Sequence, residues 1–161
     1  MTDLLIRNAR LLDADGATDA SGWLLIGEGR LLARGTGEVP PARTVHDAAG
    51  ALVVPGYVDI HSHGGGGFSG EDGPDSIRRA AEFHRSHGTT SIVISLATAP
   101  LDVMLERLCD IATVAEQDRR VLGAHLEGPF LSIEHRGAHD PALLRVPTLE
   151  DVQRILEAGH G

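Results

Sequence analysis

Apolar residues change their spacing near residue 50. Before it they come in short runs broken by turn formers. Leu4-Leu5-Ile6-Arg7-Asn8-Ala9-Arg10-Leu11-Leu12 is of strand length and closes at the turn Asp13-Ala14-Asp15-Gly16. Trp23-Leu24-Leu25-Ile26 and Arg30-Leu31-Leu32-Ala33 flank Gly27-Glu28-Gly29, a three-residue, glycine-containing hairpin signal. These segments predict a small antiparallel sheet ending in the turn-prone stretch 35–43, which carries Pro40-Pro41.

After Ala51 strands alternate with helices. Leu52-Val53-Val54 and Tyr57-Val58-Asp59-Ile60 bracket Pro55-Gly56 and deliver His61. Ile77, Ala80 and Ala81 fall at helical spacing, and Gly88 can end that helix. Thr89-Thr90-Ser91-Ile92-Val93-Ile94-Ser95-Leu96 is rich in β-branched residues and predicts a buried strand. Leu101, Met104, Leu105, Leu108, Ala112 and Ala115 trace one helical face, with Pro100 near its start. Val121-Leu122-Gly123-Ala124-His125-Leu126 is the next strand. Thr148-Leu149-Glu150-Asp151 has the form of a capping box opening a last helix, with Leu149, Val152 and Leu156 on one face and Gly159 at its end. This order predicts parallel strands with chemistry at their C-terminal ends.

Composition narrows the function. At 161 residues and 42% hydrophobic the chain can build one ordinary core. A net charge of −9 speaks against nucleic acid or an anionic membrane surface as partner. All fourteen basic residues are arginine, a bias without functional content. The single cysteine, Cys109, allows no internal disulfide. No export signal opens the chain and no apolar run reaches about 18 residues, so the expected location is the cytoplasm.

Two fragments carry the chemistry: Asp59-Ile60-His61-Ser62-His63 and His125-Leu126-Glu127-Gly128-Pro129-Phe130. Side chains alternate along a strand, so His61 and His63 project to the same side, and a carboxylate at another strand's tip can complete a metal cluster. A lone His-x-His is more often structural. At a strand end, between Pro55-Gly56 and four glycines, the ligand reading gains. Gly64 to Gly67 would let backbone pass close to metal and substrate.

Pro55-Gly56-Tyr57-Val58-Asp59-Ile60-His61-Ser62-His63-Gly64-Gly65-Gly66-Gly67 resembles the first-strand motif of the amidohydrolase superfamily. Gly123-Ala124-His125-Leu126-Glu127-Gly128-Pro129-Phe130-Leu131-Ser132, followed by Arg136-Gly137-Ala138-His139-Asp140-Pro141, resembles the N-acetylglucosamine-6-phosphate deacetylase family within it. The resemblance implies an α/β fold: residues 1–50 as N-terminal strands of a small β-sandwich, and 51–161 as about three of the eight βα units of a TIM-like barrel. It implies Glu127 as a metal ligand, His61 and His63 as a pair able to hold a second ion, and Ala138 and His139 as sugar contacts. The cofactor implied is one or two divalent ions, zinc or iron. Removal of the acetyl group from an amino-sugar phosphate, in a homodimer, is the implied function. Two further histidines and the general acid/base aspartate are expected beyond Gly161, so the 161-residue chain by itself is expected to be inactive. Two competitors stand beside this reading. One is an amidohydrolase acting on another N-acyl or cyclic amide compound; the other is a non-catalytic half-barrel that assembles with another chain.

Blander roles are expected elsewhere. Glu71, Asp72 and Asp75 suit a helix start, and His84 and His87 a helix end. His125 packs or bonds near the barrel interior and His135 is solvated on a polar loop. Cys109 belongs to the apolar side of its helix. His46 and His160 have no context.

Overall fold

The computed structural model describes residues 4–13, 16–17 and 21–160. They form two compact units that divide between Pro55 and Gly56. The first unit holds β1 (Leu4–Asp13), β2 (Gly16–Ala17), β3 (Gly22–Gly27), β4 (Arg30–Thr36), β5 (Thr44–Asp47) and β6 (Leu52–Val53). Its sheet runs β2-β1-β3-β4, with β5 and β6 also paired to β1. The antiparallel meander is the expected one, but β5 and β6 run parallel to β1, so the sheet is mixed. β5 gives no strand signal in the sequence, because Thr44-Val45-His46-Asp47 holds a single apolar residue, and it is exposed throughout. His46 acquires its context there, as a strand residue opposite Ile6. The hairpin loop has two residues rather than three, since Gly27 pairs with Arg30 and only Glu28 and Gly29 turn, both at positive φ. Ala14 and Asp15, at the centre of the first expected turn, lie outside the described residues.

The second unit begins with β7 (Tyr57–Ser62) and the two-residue strands β8 (Gly64–Gly65) and β9 (Phe68–Ser69). It continues through α1 (Pro74–Ser86), β10 (Thr89–Leu96), α2 (Leu101–Gln117), β11 (Val121–Leu126) and α3 (Leu149–Ala158). β7, β10 and β11 form a parallel sheet in the order β11-β10-β7. Ile92, Ile94 and Leu96 of β10 meet Ile77 and Ala81 of α1, Leu108, Ile111 and Val114 of α2, and Val121 of β11 in one buried cluster. Burial of each of the isoleucine, leucine and valine side chains among them favours folding by about 1.5–3 kcal/mol.

Only β10 is the buried strand expected. On the flanking strands Ile60 is 72% exposed, Tyr57 61% and Leu122 55%. Among the described residues neither β7 nor β11 has a strand on its outer side. α3 differs likewise. Its stripe of Leu149, Val152 and Leu156 is open to solvent, while Ile155 and Ala158 pack against the core. Half of the capping box forms: the Asp151 N–H donates to the Thr148 hydroxyl at 3.1 Å. The Asp151 carboxylate is drawn away by Arg145, at 3.0 Å. Cys109 is exposed, against expectation, because its position lies about 120° round α2 from the centre of the buried stripe.

A charge network stands on the surface of this unit. Arg120 contacts Glu82 and Asp118, each at 2.6 Å, and Arg85 contacts Glu82 at 2.8 Å. Hydrogen bonds from Arg85 and Arg120 pull the Glu82 carboxyl from 4.5 down to about 2, and Arg120 also lowers Asp118. Folded-state values below the unfolded ones mean stabilisation that is present above about 4.5 and lost as pH falls toward about 2. Thermal melts between pH 5 and about 2 are therefore expected to show a falling midpoint whose slope is shallower in Glu82→Gln. An unchanged slope would remove this network from the acid response.

Candidate metal centre

β7 ends by turning Ser62 into the protein and His61 to the opposite face, with His63 in the bend that follows. The His61 N–H donates to Asp59 Oδ1 at 3.1 Å. Behind the bend, His84 Nε2 lies 3.0 Å from the Gly64 carbonyl and 3.3 Å from the Ser62 hydroxyl. A carbonyl only accepts, so Nε2 carries the proton and donates. His84 thus holds the glycine run instead of serving its helix end as expected, whereas His87 does the latter, with Nδ1 2.9 Å from the Phe83 carbonyl. The glycines approach α1. A Cβ at Gly65 or Gly66 would strike Phe83, and at Gly65 also His84. Their smallness serves packing of the β8–β9 hairpin on that helix.

β11 ends beside β10, and the Glu127 N–H donates to the Leu96 carbonyl at 3.1 Å. This bond sets the carboxylate at the C-terminal edge of the sheet. Glu127 Oε1 lies 3.0 Å from His61 Nε2 and 3.2 Å from His63 Nε2. The three donors lie within 4.8 Å of one another and form a group able to hold a metal ion. Two imidazole nitrogens and one carboxylate oxygen are the donors that zinc or ferrous iron accept, and an all-oxygen site would be needed to favour magnesium or calcium. The Glu127 side chain is 24% exposed, enough enclosure to strengthen its attraction for a cation without losing access from solvent.

Ala138 and His139 line the same open cleft, of about 430 Å³, together with His61, Glu127 and Arg136. The His139 ring faces inward: Nε2 is 3.6 Å from Glu127 Oε2 and Nδ1 is 2.7 Å from the Thr98 hydroxyl. Arg136 Nη1 donates to the His139 carbonyl at 2.9 Å and braces that loop. His125 bonds to Ser95 across the strand pair, Nδ1 to Oγ at 3.1 Å, and its ring centroid is 5.2 Å from that of His61. His135 bonds locally to the Ser132 hydroxyl, at 3.1 Å, and His160 to Glu116, at 2.8 Å. Glu71 is no helix-start residue. Its Oε1 accepts from the Ala97 N–H at 3.2 Å and its Oε2 meets Arg107 at 3.1 Å, tying down the loop after β10. Thr98 and Glu71 carried no motif. The one signal for Thr98 was its place just past the C-terminal end of a parallel strand.

Residues 52–158 match the sequence profile described as the amidohydrolase family. N-acetylglucosamine-6-phosphate deacetylase of Bos taurus is 33% identical over 165 residues, covering 99% of this chain and 36% of the relative. N-acetylgalactosamine-6-phosphate deacetylase of Escherichia coli O157:H7 is 31% identical, covering 94% and 40%. The crystal structure of N-acetyl-D-glucosamine-6-phosphate deacetylase from Mycobacterium smegmatis superposes with a TM-score of 0.86 at 38% identity, over 98% of this chain and 45% of that one. A variant of the same enzyme, solved in complex with N-acetyl-D-glucosamine-6-phosphate, gives 0.87 at 37% identity, over 99% and 42%. The chain thus spans 36–45% of the length of these relatives.

Proposed function

Since the chain belongs to the amidohydrolase family, we propose that it supplies the first metal ligands and sugar contacts of an N-acetylglucosamine-6-phosphate deacetylase. The observation that carries this reading is the meeting of His61, His63 and Glu127 at the C-terminal edge of a parallel sheet, beside Ala138 and His139. Residues 1–50 then belong to a small β-sandwich and 51–161 to the opening units of a (β/α)8 barrel. The two uncovered sheet edges fit such an unfinished arc. A homodimeric cytoplasmic enzyme goes with the same reading. No helix among the described residues is long and apolar enough to cross a membrane.

A bound divalent ion, zinc or iron, alone or as one of a pair, supplies a water of lowered pKa and polarises the acetamide carbonyl. Glu127 would hold it and offset part of its charge; His61 and His63 would add neutral donors, and serve a second ion if two are bound. Ala138, through its backbone, and His139 would flank the sugar so that its N-acetyl group faces this cluster. Water adds across the C–N bond, giving acetate and glucosamine 6-phosphate, with a proton delivered to the departing amine. Neither the group that delivers it nor any metal ligand beyond Glu127, His61 and His63 is assigned among the described residues.

A panel assay on the protein purified from its own cells tests the substrate. Acetate release from N-acetylglucosamine 6-phosphate, faster than from its galactosamine epimer, supports the reading. Preference for the epimer would align it with the E. coli O157:H7 relative. Preference for a hydantoin or another N-acyl compound would overturn the sugar assignment.

A further inference from the structure

We propose that Thr98 is a positioning residue of this metal centre, its hydroxyl fixing the His139 ring so that the Nε2 proton faces Glu127 and leaves the other carboxylate oxygen to the cation. The inference rests on the metal-binding reading of Glu127. It starts from an asymmetry in that carboxylate: Oε1 is approached by both His61 and His63, whereas Oε2 faces His139 alone among these imidazoles, at 3.6 Å.

Which nitrogen of His139 bears the proton follows from its other side. The Thr98 N–H is directed at Nδ1, 3.4 Å away, and the Thr98 hydroxyl lies 2.7 Å from the same atom. A backbone N–H can only donate, so Nδ1 is the lone-pair nitrogen and the hydroxyl donates to it as well. The ring proton of the neutral imidazole is then on Nε2, the nitrogen 3.6 Å from Glu127 Oε2. At 3.6 Å the ring N–H makes an electrostatic contact with Oε2 rather than a full hydrogen bond, and partners placed beside a metal ligand in this way set affinity through its orientation.

Thr98 is itself held on two sides. Glu71 accepts from the N–H of the preceding residue, Ala97, and is clamped by Arg107. Gly128, directly after Glu127, passes so close that a Cβ there would strike the Thr98 hydroxyl. The glycine therefore makes room for the hydroxyl between the loop after β10 and the segment bearing Glu127.

The test uses Thr98→Val, which keeps the shape and removes the hydroxyl, and Thr98→Ser, which restores it. Zinc titrated calorimetrically into the metal-free 161-residue chain is expected to bind Thr98→Val about 10-fold or more weakly than wild type, with Thr98→Ser near wild type. Nitrogen-15 spectra of the metal-free protein, with labelled histidine, are expected to show His139 protonated on Nε2 in wild type and to lose that preference in Thr98→Val. A purely structural role would lower the melting midpoint of both variants without moving zinc affinity or tautomer. Wild-type zinc affinity in a folded Thr98→Val, or a wild-type His139 protonated on Nδ1, would overturn the proposal. If Thr98→Val fails to fold, the wild-type tautomer and Thr98→Ser still decide it. Failure of the wild-type chain to bind zinc at all would instead remove the metal reading, and this inference with it.

Discussion

Glu127→Gln is expected to reduce zinc affinity by more than the roughly 10–100-fold that loss of an outer partner of a ligand costs. Oε1 of Glu127 is the one atom that both imidazoles approach, at 3.0 and 3.2 Å. Without an ion, those imidazoles can each turn an Nε2 proton toward it, so a cation there takes the place of protons. Glutamine keeps the shape and an oxygen to accept those hydrogen bonds, so the fold should survive. What it removes is the negative charge that offsets the cation and a carboxylate oxygen that ligates it. Calorimetric titration of both proteins, with melting curves as a control on folding, checks this. A Glu127→Gln chain that binds zinc as tightly as wild type would remove Glu127 from the site.

The second large effect is an absence. The purified 161-residue chain, loaded with zinc, is expected to release no acetate from N-acetylglucosamine 6-phosphate above the buffer background. Proton transfer by a placed acid or base is worth about 10²–10⁴-fold, and the aspartates that neighbour the site's residues in sequence are bonded to backbone N–H groups. Asp59 accepts from the His61 N–H, at 3.1 Å. Asp140 accepts from the Ala142 N–H, at 2.9 Å. Among the described residues the metal-capable group comprises only His61, His63 and Glu127, and its cleft is open to water. Release of the free amine, followed with an amine-reactive dye, provides the measurement. Turnover that disappears in Glu127→Gln would show that these residues suffice, and the expectation would be wrong.

Both expectations grow from motifs visible in the amino-acid sequence. Ile77, Ala80 and Ala81 of α1, Leu101, Met104, Leu108 and Ala112 of α2, and Ile92, Ile94 and Leu96 of β10 are buried where their pattern placed them, while Leu105 and Ala115 are only partly covered. His61, His63 and Glu127 meet because two parallel strands next to a common neighbour end on one edge, a consequence of the βαβ order. Other features were illegible for a physical reason. Periodicity reports which face of an element is apolar, not whether anything covers it. Leu149, Val152 and Leu156 make a good stripe and remain exposed, as does Ile60 on an apolar strand. Single polar residues were harder still. Glu71 looked like a helix-start acid, and only the fold brings the Ala97 N–H and Arg107 to it. His84 looked like a helix-end base, and only the β8–β9 hairpin supplies the Gly64 carbonyl it holds. Thr98 has its role through His139, forty-one residues away.

Crystals of this chain soaked with zinc and measured at the zinc absorption edge would test the metal centre most directly. The expected result is an anomalous peak bonded to His61 Nε2, His63 Nε2 and a Glu127 carboxylate oxygen, at about 2.0–2.2 Å from each. An empty site at saturating zinc, or a peak held elsewhere while Glu127 keeps its contacts with the two histidines, would contradict it.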